Sequence, residues 1–403
     1  MRILLVHNHY GSEAPSGENQ VFALERAMLE SRGHEVQVYE RHSDEIRARG
    51  VAGMVQGALA TPWNPFTARA VRAIASRFRP QVVHIHNTFP LISPSVFPAV
   101  GPDAARVLTL HNYRLFCASA ILMRGGRVCT ECIDRRSVLP AIRHACYRNS
   151  RIATLPLAAG IALHRWRRTW HRDVDAFVVL TGFQRRVMID AGLPSETVHV
   201  KPNFYPGRPV KTPWGERSDR VVFVGRLSAE KGVEHLVSAW LAWGASAPEL
   251  VLVGDGPLRG GLEVRVLAAA AVNIRFVGQV DAAEAQRWIA GSRLLVLPSV
   301  CFEGFPMVLR EALAFGTPCA VSGIGPLPDI VARGEAGVMF RAGDPADLLH
   351  AVRSLWADAA RLERMGRRGR SEFETHYTES ANHESLMAIY QRAIAVRRAR
   401  RDA

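Results

Sequence analysis

The sequence predicts an α/β protein made of two doubly wound parallel-sheet domains facing each other across a cleft. Three observations carry that expectation. Short apolar runs alternate with helical patterns along almost the whole chain, the signature of parallel βαβ units. A proline-dense stretch, Lys201-Pro202-Asn203-Phe204-Tyr205-Pro206-Gly207-Arg208-Pro209, interrupts this alternation near the middle and reads as a domain boundary. Glycine, histidine and charged residues gather directly after the apolar runs, where open α/β sheets place their ligands.

In the first half, strands are expected at Ile3–Val6, Glu35–Tyr39, Val82–Ile85, Val107–Leu110 and Ala176–Leu180, with an amphipathic helix from Glu18 to Glu30. In the second half, strands are expected at Val221–Val224, Leu250–Val253, Ile274–Val277, Leu294–Leu297, Cys319–Val321 and Val338–Phe340. Helices are expected between them, near 231–243, 258–270, 282–290, 305–315, 326–332 and 344–356. Two more, about 359–374 and 379–398, end the chain. The domains are drawn as 1–205, with an insertion over about 113–150, and 206–377, with 378–403 crossing back to the first.

The 403 residues are 48% hydrophobic and 22% charged, the balance of an ordinary globular protein. Met1 leads straight into an apolar strand, so no signal segment is expected, and Thr154–Leu163 is too short to span a bilayer. A cytoplasmic location follows as an expectation. The net charge of +14 comes from arginine; Lys201, Lys211 and Lys231 are the lysines. An excess of cations fits nucleotide phosphates, an anionic membrane surface or nucleic acid.

The chemistry concentrates in two strand–helix turns of the second half. Gly225-Arg226-Leu227-Ser228-Ala229-Glu230-Lys231-Gly232 sets two cations at one turn, a bidentate fork and a compact point charge, both suited to phosphate. Glu230 is the expected ion-pair partner of one of them. Gly254-Asp255-Gly256-Pro257 ends the next strand with a turn that lets backbone approach a ligand. The run Arg293–Pro298 reads as a buried strand, followed by Glu303-Gly304-Phe305-Pro306-Met307 and, in the helix, Glu311. Pro306 suits the first turn of that helix. Its N-terminus offers free N–H groups, and carboxylates accept hydrogen bonds from hydroxyls. A capping acid and a solvent-facing helix acid are the plainer reading of this pair.

At the strand ends of the first half stand His7-Asn8-His9, His84-Ile85-His86-Asn87 and His111-Asn112. Gly11 and Gly17 flank the loop Ser12-Glu13-Ala14-Pro15-Ser16, which lacks the full dinucleotide fingerprint, so a nicotinamide cofactor is not expected.

Taken in order, E-x7-E from Glu303 to Glu311 with the trailing Ala-x-Gly-x-Pro, Gly-Arg-Leu…Glu-Lys-Gly, Gly-Asp-Gly-Pro and the strand-end His111 resemble family 4 glycosyltransferases of the GT-B fold. The likeness covers nearly the whole chain and extends to enzymes of bacterial cell-surface polysaccharide and lipopolysaccharide synthesis. It implies a retaining hexosyltransferase using a UDP- or GDP-sugar as donor, with no metal needed for catalysis. Arg226 and Lys231 would hold the donor diphosphate. Glu303 and the N–H groups of Gly304 to Met307 would bind the sugar, Glu311 the ribose, and His111 would stand at the reaction centre. Gly17, Gly225 and Gly254 would line the donor. The chain departs from the family in carrying Ser16-Gly17-Glu18 where paired glycines are common, and Pro306 where glycine is frequent. A GT-B nucleotide-sugar epimerase is an alternative reading, and a basic nucleic-acid binder is a non-enzymatic one; the intact sugar and phosphate motifs argue against both.

Cys117, Cys129, Cys132 and Cys146 stand in the insertion after His111. A C-x2-C pair with two further cysteines predicts a structural zinc site, with four ordinary thiols in a small packed subdomain as the alternative. Cys301 and Cys319 read as core. The basic–aromatic run Arg165-Trp166-Arg167-Arg168-Thr169-Trp170-His171-Arg172 suits a headgroup interface, and the tail arginines Arg397, Arg398, Arg400 and Arg401 would add to it. A polyprenyl-diphosphate-linked or other glycan acceptor on the inner membrane leaflet is the partner this implies.

Overall fold

The computed structural model describes residues 1–12 and 16–402. It divides into two compact units: Met1–Leu122, Thr130–Pro202 and Asn382–Ala403 form the first; Met123–Cys129 and Asn203–Ala381 form the second. The strands are β1 (Arg2–His9), β2 (Glu35–His42), β3 (Val82–Asn87), β4 (Ala105–Leu110), β5 (Met123–Arg124), β6 (Arg127–Val128), β7 (Ala176–Val179), β8 (Val198–Val200), β9 (Ser218–Val224), β10 (Glu249–Val253), β11 (Ile274–Gly278), β12 (Ser292–Leu297), β13 (Cys319–Ser322) and β14 (Gly337–Phe340).

Each unit holds a six-stranded parallel sheet. The order is β2-β1-β3-β4-β7-β8 in the first and β11-β10-β9-β12-β13-β14 in the second. β3, β4 and β7 are buried along their entire length, which is why they read as unbroken apolar runs rather than alternating ones. β8 escapes that logic. Three residues on a sheet edge, Val-His-Val, carry too little pattern to announce a strand. In the second unit, Val221, Phe223, Leu250, Leu252, Leu294 and Val296 face the helices Val233–Trp243 and Pro345–Trp356 in one continuous core.

Two doubly wound sheets have two switch points, where the winding reverses direction. They fall between β1 and β3 in the first unit and between β9 and β12 in the second. Loops leaving the carboxyl ends on either side of such a point splay apart and leave a crevice. The helix Glu379–Asp402 begins in the second unit and from Asn382 belongs to the first. There Arg397 and Arg400 close on buried Asp175 at 2.9 and 3.2 Å.

Candidate active site

In the second unit the two turns that sequence singled out meet at the β9/β12 switch point. After β9 the chain crosses β10's exit so closely that a Cβ on Gly254 would stand 2.0 Å from the Gly225 carbonyl oxygen, at a backbone φ of +136°. Gly232, at φ +66°, has the Pro298 carbonyl where its Cβ would be, 1.9 Å away. Val300 N–H donates to the Glu230 carbonyl at 3.0 Å and fixes one loop to the other. These approaches bring Lys231 to Glu303: Nζ donates to Oε1 at 2.7 Å, and Ser299 Oγ, on a fully buried residue, donates to the same oxygen at 2.7 Å.

Burial opposes the charge on both members of this pair, yet each wins it back from the other. Burial pushes the Glu303 carboxyl up, but Lys231 and Ser299 together hold it below the ordinary carboxylate range. Burial depresses the Lys231 ammonium, and Glu303 lifts it above the ordinary lysine value. Glu230 is occupied elsewhere: its carboxylate accepts from Ser228 Oγ at 2.6 Å rather than pairing with Arg226 or Lys231 as a hydrogen-bonded ion pair. Arg226 is exposed at the same turn.

The helix after Glu303 runs Met307–Phe315 with Pro306 as its N-cap, one residue outside the first turn expected for it. The first-turn N–H groups of a helix have no intrahelical acceptor and collect the positive end of its dipole. Gly304 is partly exposed before them, while Phe305 is buried against the Tyr377 ring at 5.3 Å. Glu311 is not a solvent-facing acid. It is buried, accepts from Arg310 Nη2 at 3.1 Å and Gln286 Nε2 at 3.3 Å, and burial raises its carboxyl above the ordinary range. Gln286 Oε1 in turn accepts from the Tyr205 hydroxyl at 2.8 Å, and Arg310 Nη1 donates to the Phe204 carbonyl. Arg310, Gln286 and Tyr205 were invisible as site residues in the sequence, although Arg310 beside Glu311 on a helix with an apolar face was a signal.

The first unit builds a second polar cluster at its own switch point. His84 and His86 on β3 lie beside β1, and His111 follows β4. Lys201 Nζ donates to Glu25 Oε2 at 2.8 Å, Glu25 Oε1 meets His86 Nε2 at 3.1 Å, and His86 Nδ1 meets His111 Nε2 at 3.2 Å. His84 joins from the side, within 3.0 Å of Glu25 Oε1, 2.8 Å of the Tyr390 hydroxyl and 2.7 Å of Thr109 Oγ1. A carboxylate can only accept, so His86 carries a hydrogen on the Nε2 that faces Glu25. Burial, reinforced by His86 and His7, holds His111 well below the ordinary imidazole range, so it is neutral at pH 7. A cavity of about 90 Å³ is lined by His86, His111, Asn112, Arg114, Phe89 and Trp170, among others. Glu25, His84 and His86 also bring one ligand atom each within 4.8 Å, but the Lys201 ammonium already supplies their positive charge.

Gly17 opens the helix Gly17–Ser31, capped by Ser16, whose Oγ accepts from Asn19 N–H at 3.4 Å. Glu13, Ala14 and Pro15 of the preceding loop lie outside the described residues.

Two family models divide the chain between them. "Glycosyltransferase Family 4" matches residues 17–206 and "Glycosyl transferases group 1" matches 218–358. The chain belongs to the GT-B glycosyltransferases. A glycogen synthase of Mycobacterium tuberculosis is 35% identical over 164 residues, 39% of this chain and 38% of that one. The alignment thus spans about two-fifths of the length of the first curated relatives. Among solved structures, sucrose-phosphate synthase of Thermosynechococcus elongatus superposes with a TM-score of 0.70 at 18% identity, covering 98% of this chain and 99% of that one. Anabaena HepE, solved in complex with UDP, gives 0.64 at 16% identity, covering 96% and 99%.

The zinc expectation for this glycosyltransferase finds no support. Cys117, Cys132 and Cys146, all in the first unit, do not bring their sulfurs within 4.8 Å of one another among the described residues. The reason is local packing. Cys117 Sγ meets Ser119 Oγ at 3.1 Å inside a tight turn, while Cys132 and Cys146 pack against the apolar cluster of Ala118, Ala141 and Leu157. Cys129 belongs to the second unit, with the β5–β6 hairpin. None of the six cysteines is in a disulfide, and Cys301 and Cys319 are buried in the core.

Proposed function

We propose that this glycosyltransferase moves a hexosyl group from a UDP- or GDP-sugar to a glycan or lipid-linked acceptor, with retention at the anomeric carbon, in building a cell-surface polysaccharide or lipopolysaccharide. The observation that carries the reading is the Lys231–Glu303–Ser299 cluster beside the N-terminus of the helix Met307–Phe315. It joins a cation, an anion kept ionised by that cation, and a row of N–H donors at one switch point. A nucleoside diphosphate sugar presents the complementary set: phosphate oxygens, sugar hydroxyls and a ribose. HepE, of the same fold, was solved with UDP and with UDP and glucose.

In this reading the bond that breaks joins the anomeric carbon to the diphosphate oxygen. The electron pair leaves on the diphosphate, where Lys231, Arg226 and the helix N-terminus meet the developing charge without reorganising. Glu303 accepts hydrogen bonds from the sugar hydroxyls, and Glu311, fixed by Arg310 and Gln286, receives the ribose. Gly225 and Gly254 give the backbone its close approach. The acceptor hydroxyl attacks the face the diphosphate leaves, and its proton passes to the departing phosphate oxygen. His111, kept neutral chiefly by burial, serves the reacting sugar. None of these residues acts as a protein nucleophile, and no metal is assigned to the step.

Working on lipid-linked acceptors would set the enzyme on the cytoplasmic face of the inner membrane. No helix among the described residues is long and apolar enough to cross a bilayer. Thermal unfolding with a panel of UDP- and GDP-sugars tests the donor assignment; no stabilisation by any of them overturns it. Mass analysis of products on lipid-linked acceptors then identifies the acceptor.

A further inference from the structure

The helix Gly50–Ala60 in the first unit is oriented against the usual rule. Globular helices bury their large apolar residues and expose small or polar ones. Here the buried residues are Gly53, Gly57 and Ala60. The exposed ones are Val51 at 71%, Met54 and Val55 at 55% each, and Leu59 at 73%. The glycines are needed where they are. A Cβ on Gly53 would stand 2.2 Å from the Ile46 carbonyl oxygen, and one on Gly57 would meet Ile46 Cδ1 at 2.8 Å. Packing on the short helix before it thus fixes which face this helix presents.

Other large apolar side chains are exposed on the next helix and on one that touches Gly50–Ala60. Phe66 is 73% exposed in the first turn of the next helix, Pro65–Phe78. The helix Arg151–Trp166 touches Gly50–Ala60 and exposes Ile152 at one end and Trp166 at the other, 80% and 78% respectively. Patches of large exposed apolar residues mark interaction sites.

The charge around this surface identifies the partner. From Ile46 to Pro102 the chain contains no aspartate or glutamate, and it contains six arginines. From Arg135 to Arg172 there is again no acid, with nine arginines. All three helices of the apolar surface lie inside these two acid-free segments. Exposed aliphatic and aromatic side chains among these arginines, of which Arg47 pairs with Asp44 and Arg135 with Glu131 at the segment edges, match the acyl and headgroup layers of an anionic bilayer.

We propose that the helices Gly50–Ala60 and Arg151–Trp166, with Phe66, form the surface by which the first unit docks on an anionic lipid bilayer. The proposal deepens the reading that the acceptor is membrane-borne. It also corrects the sequence expectation about which residues meet the membrane. Trp166 is exposed, but Trp170 is buried between Phe97, His164 and Phe177. In the tail, Arg397 and Arg400 are engaged by Asp175, and Arg401 by Asp103 and Asp402. The helix Gly50–Ala60 supplies the apolar contact instead.

The test is vesicle flotation of the purified full chain, without donor, so that its outcome is separate from that of the transfer assay. The chain should float with phosphatidylglycerol-containing vesicles and not with pure phosphatidylcholine, and binding should weaken with salt. The double variant Met54→Glu/Leu59→Glu should bind at least roughly tenfold more weakly, through lost apolar insertion and added repulsion. Its melting temperature and its stabilisation by nucleotide sugars should be unchanged, because both side chains are solvent-exposed in the free protein. Met54→Ser/Leu59→Ser, which adds no charge, should show a smaller loss in the same direction. Absence of binding to anionic vesicles, or undiminished binding by both variants, overturns the proposal. So does a concentration-dependent dimer that both variants dissolve in a chain that ignores vesicles, or duplex DNA binding tighter than vesicle binding and indifferent to the substitutions.

Discussion

Replacing Lys201 by methionine should destabilise the first unit severely at neutral pH. The ammonium is 1% exposed and 2.8 Å from Glu25 Oε2, and Glu25 is fully buried. Removing the lysine leaves the carboxylate facing the rings of His84 and His86, at 3.0 and 3.1 Å. Breaking a buried pair from one side in this way costs about 3–5 kcal/mol. Lys201 also donates to Asn382 Oδ1 at 3.2 Å, so the C-terminal helix loses one of its ties. The cost should depend on pH with a definite sign. His84 is held down to about 4, first by burial, then by its neighbours, with Lys201 among the groups that lower it. Without the lysine, a histidine beside Glu25 takes up a proton more readily and can replace the lost charge. The variant should therefore lose most stability near pH 8 and less near pH 5.5. Urea unfolding followed by circular dichroism at the two pH values measures this. The double variant Lys201→Met/Glu25→Gln, which leaves no unpaired charge, should recover more than half of the loss at pH 8. A loss below about 1 kcal/mol at pH 8 would refute the reasoning, since it lies far outside the cost of an orphaned buried charge, as would a double variant no more stable than the single one.

Three further outcomes follow from the geometry. Glu303→Ala should lower kcat/KM by roughly 10²–10³ or more, the scale of losing a preorganised electrostatic contact, while the fold tolerates it because the Lys231 side chain is 27% exposed and can be hydrated; turnover near that of the parent would overturn the site assignment. Gly254→Ala should cost roughly 2–4 kcal/mol by combining backbone strain with overpacking, since the new Cβ would sit 2.0 Å from the Gly225 carbonyl oxygen at φ +136°; an unchanged midpoint of denaturation would show that the two loops separate freely. Acid should destabilise the wild-type chain early. His84 and His7 are held down, chiefly by burial, to about 4 and about 3 from an ordinary 6.5, so the unfolded chain binds their protons first. Their contribution is complete above pH 6.5 and lost as pH falls toward those values, with Glu25, held well below the carboxylate range, following at lower pH; a stability profile flat from pH 7 to 4 would exclude this.

The sequence by itself determined the fold class, all six strands of the second sheet and five of the six in the first, because both strands and helices here announce themselves by unbroken apolar runs and clear helical periods. It also located the Lys231 and Glu303 turns at strand ends, since each motif is contiguous and follows its strand directly. What it did not determine was which groups meet. Glu230 lies next to Lys231 in sequence and Glu303 lies 72 residues away, yet the adjacency of β9 and β12 gives Lys231 to Glu303. The four cysteines show the converse: close in sequence, they read as one site, but local turns and an apolar cluster keep Cys117, Cys132 and Cys146 from converging on one point among the described residues. The Lys201–Glu25–His86–His111 chain joins residues from four segments, and no short-range pattern could have linked them. The helix Gly50–Ala60 was obscured by its own glycines, which lower helix propensity and blur the amphipathic period. Only packing decided that those glycines turn inward and that valine, methionine and leucine turn out. Periodicity reports how a segment lies relative to a core; it cannot report which distant segment that core contains, because side-chain partners are chosen by sheet order and close backbone approach.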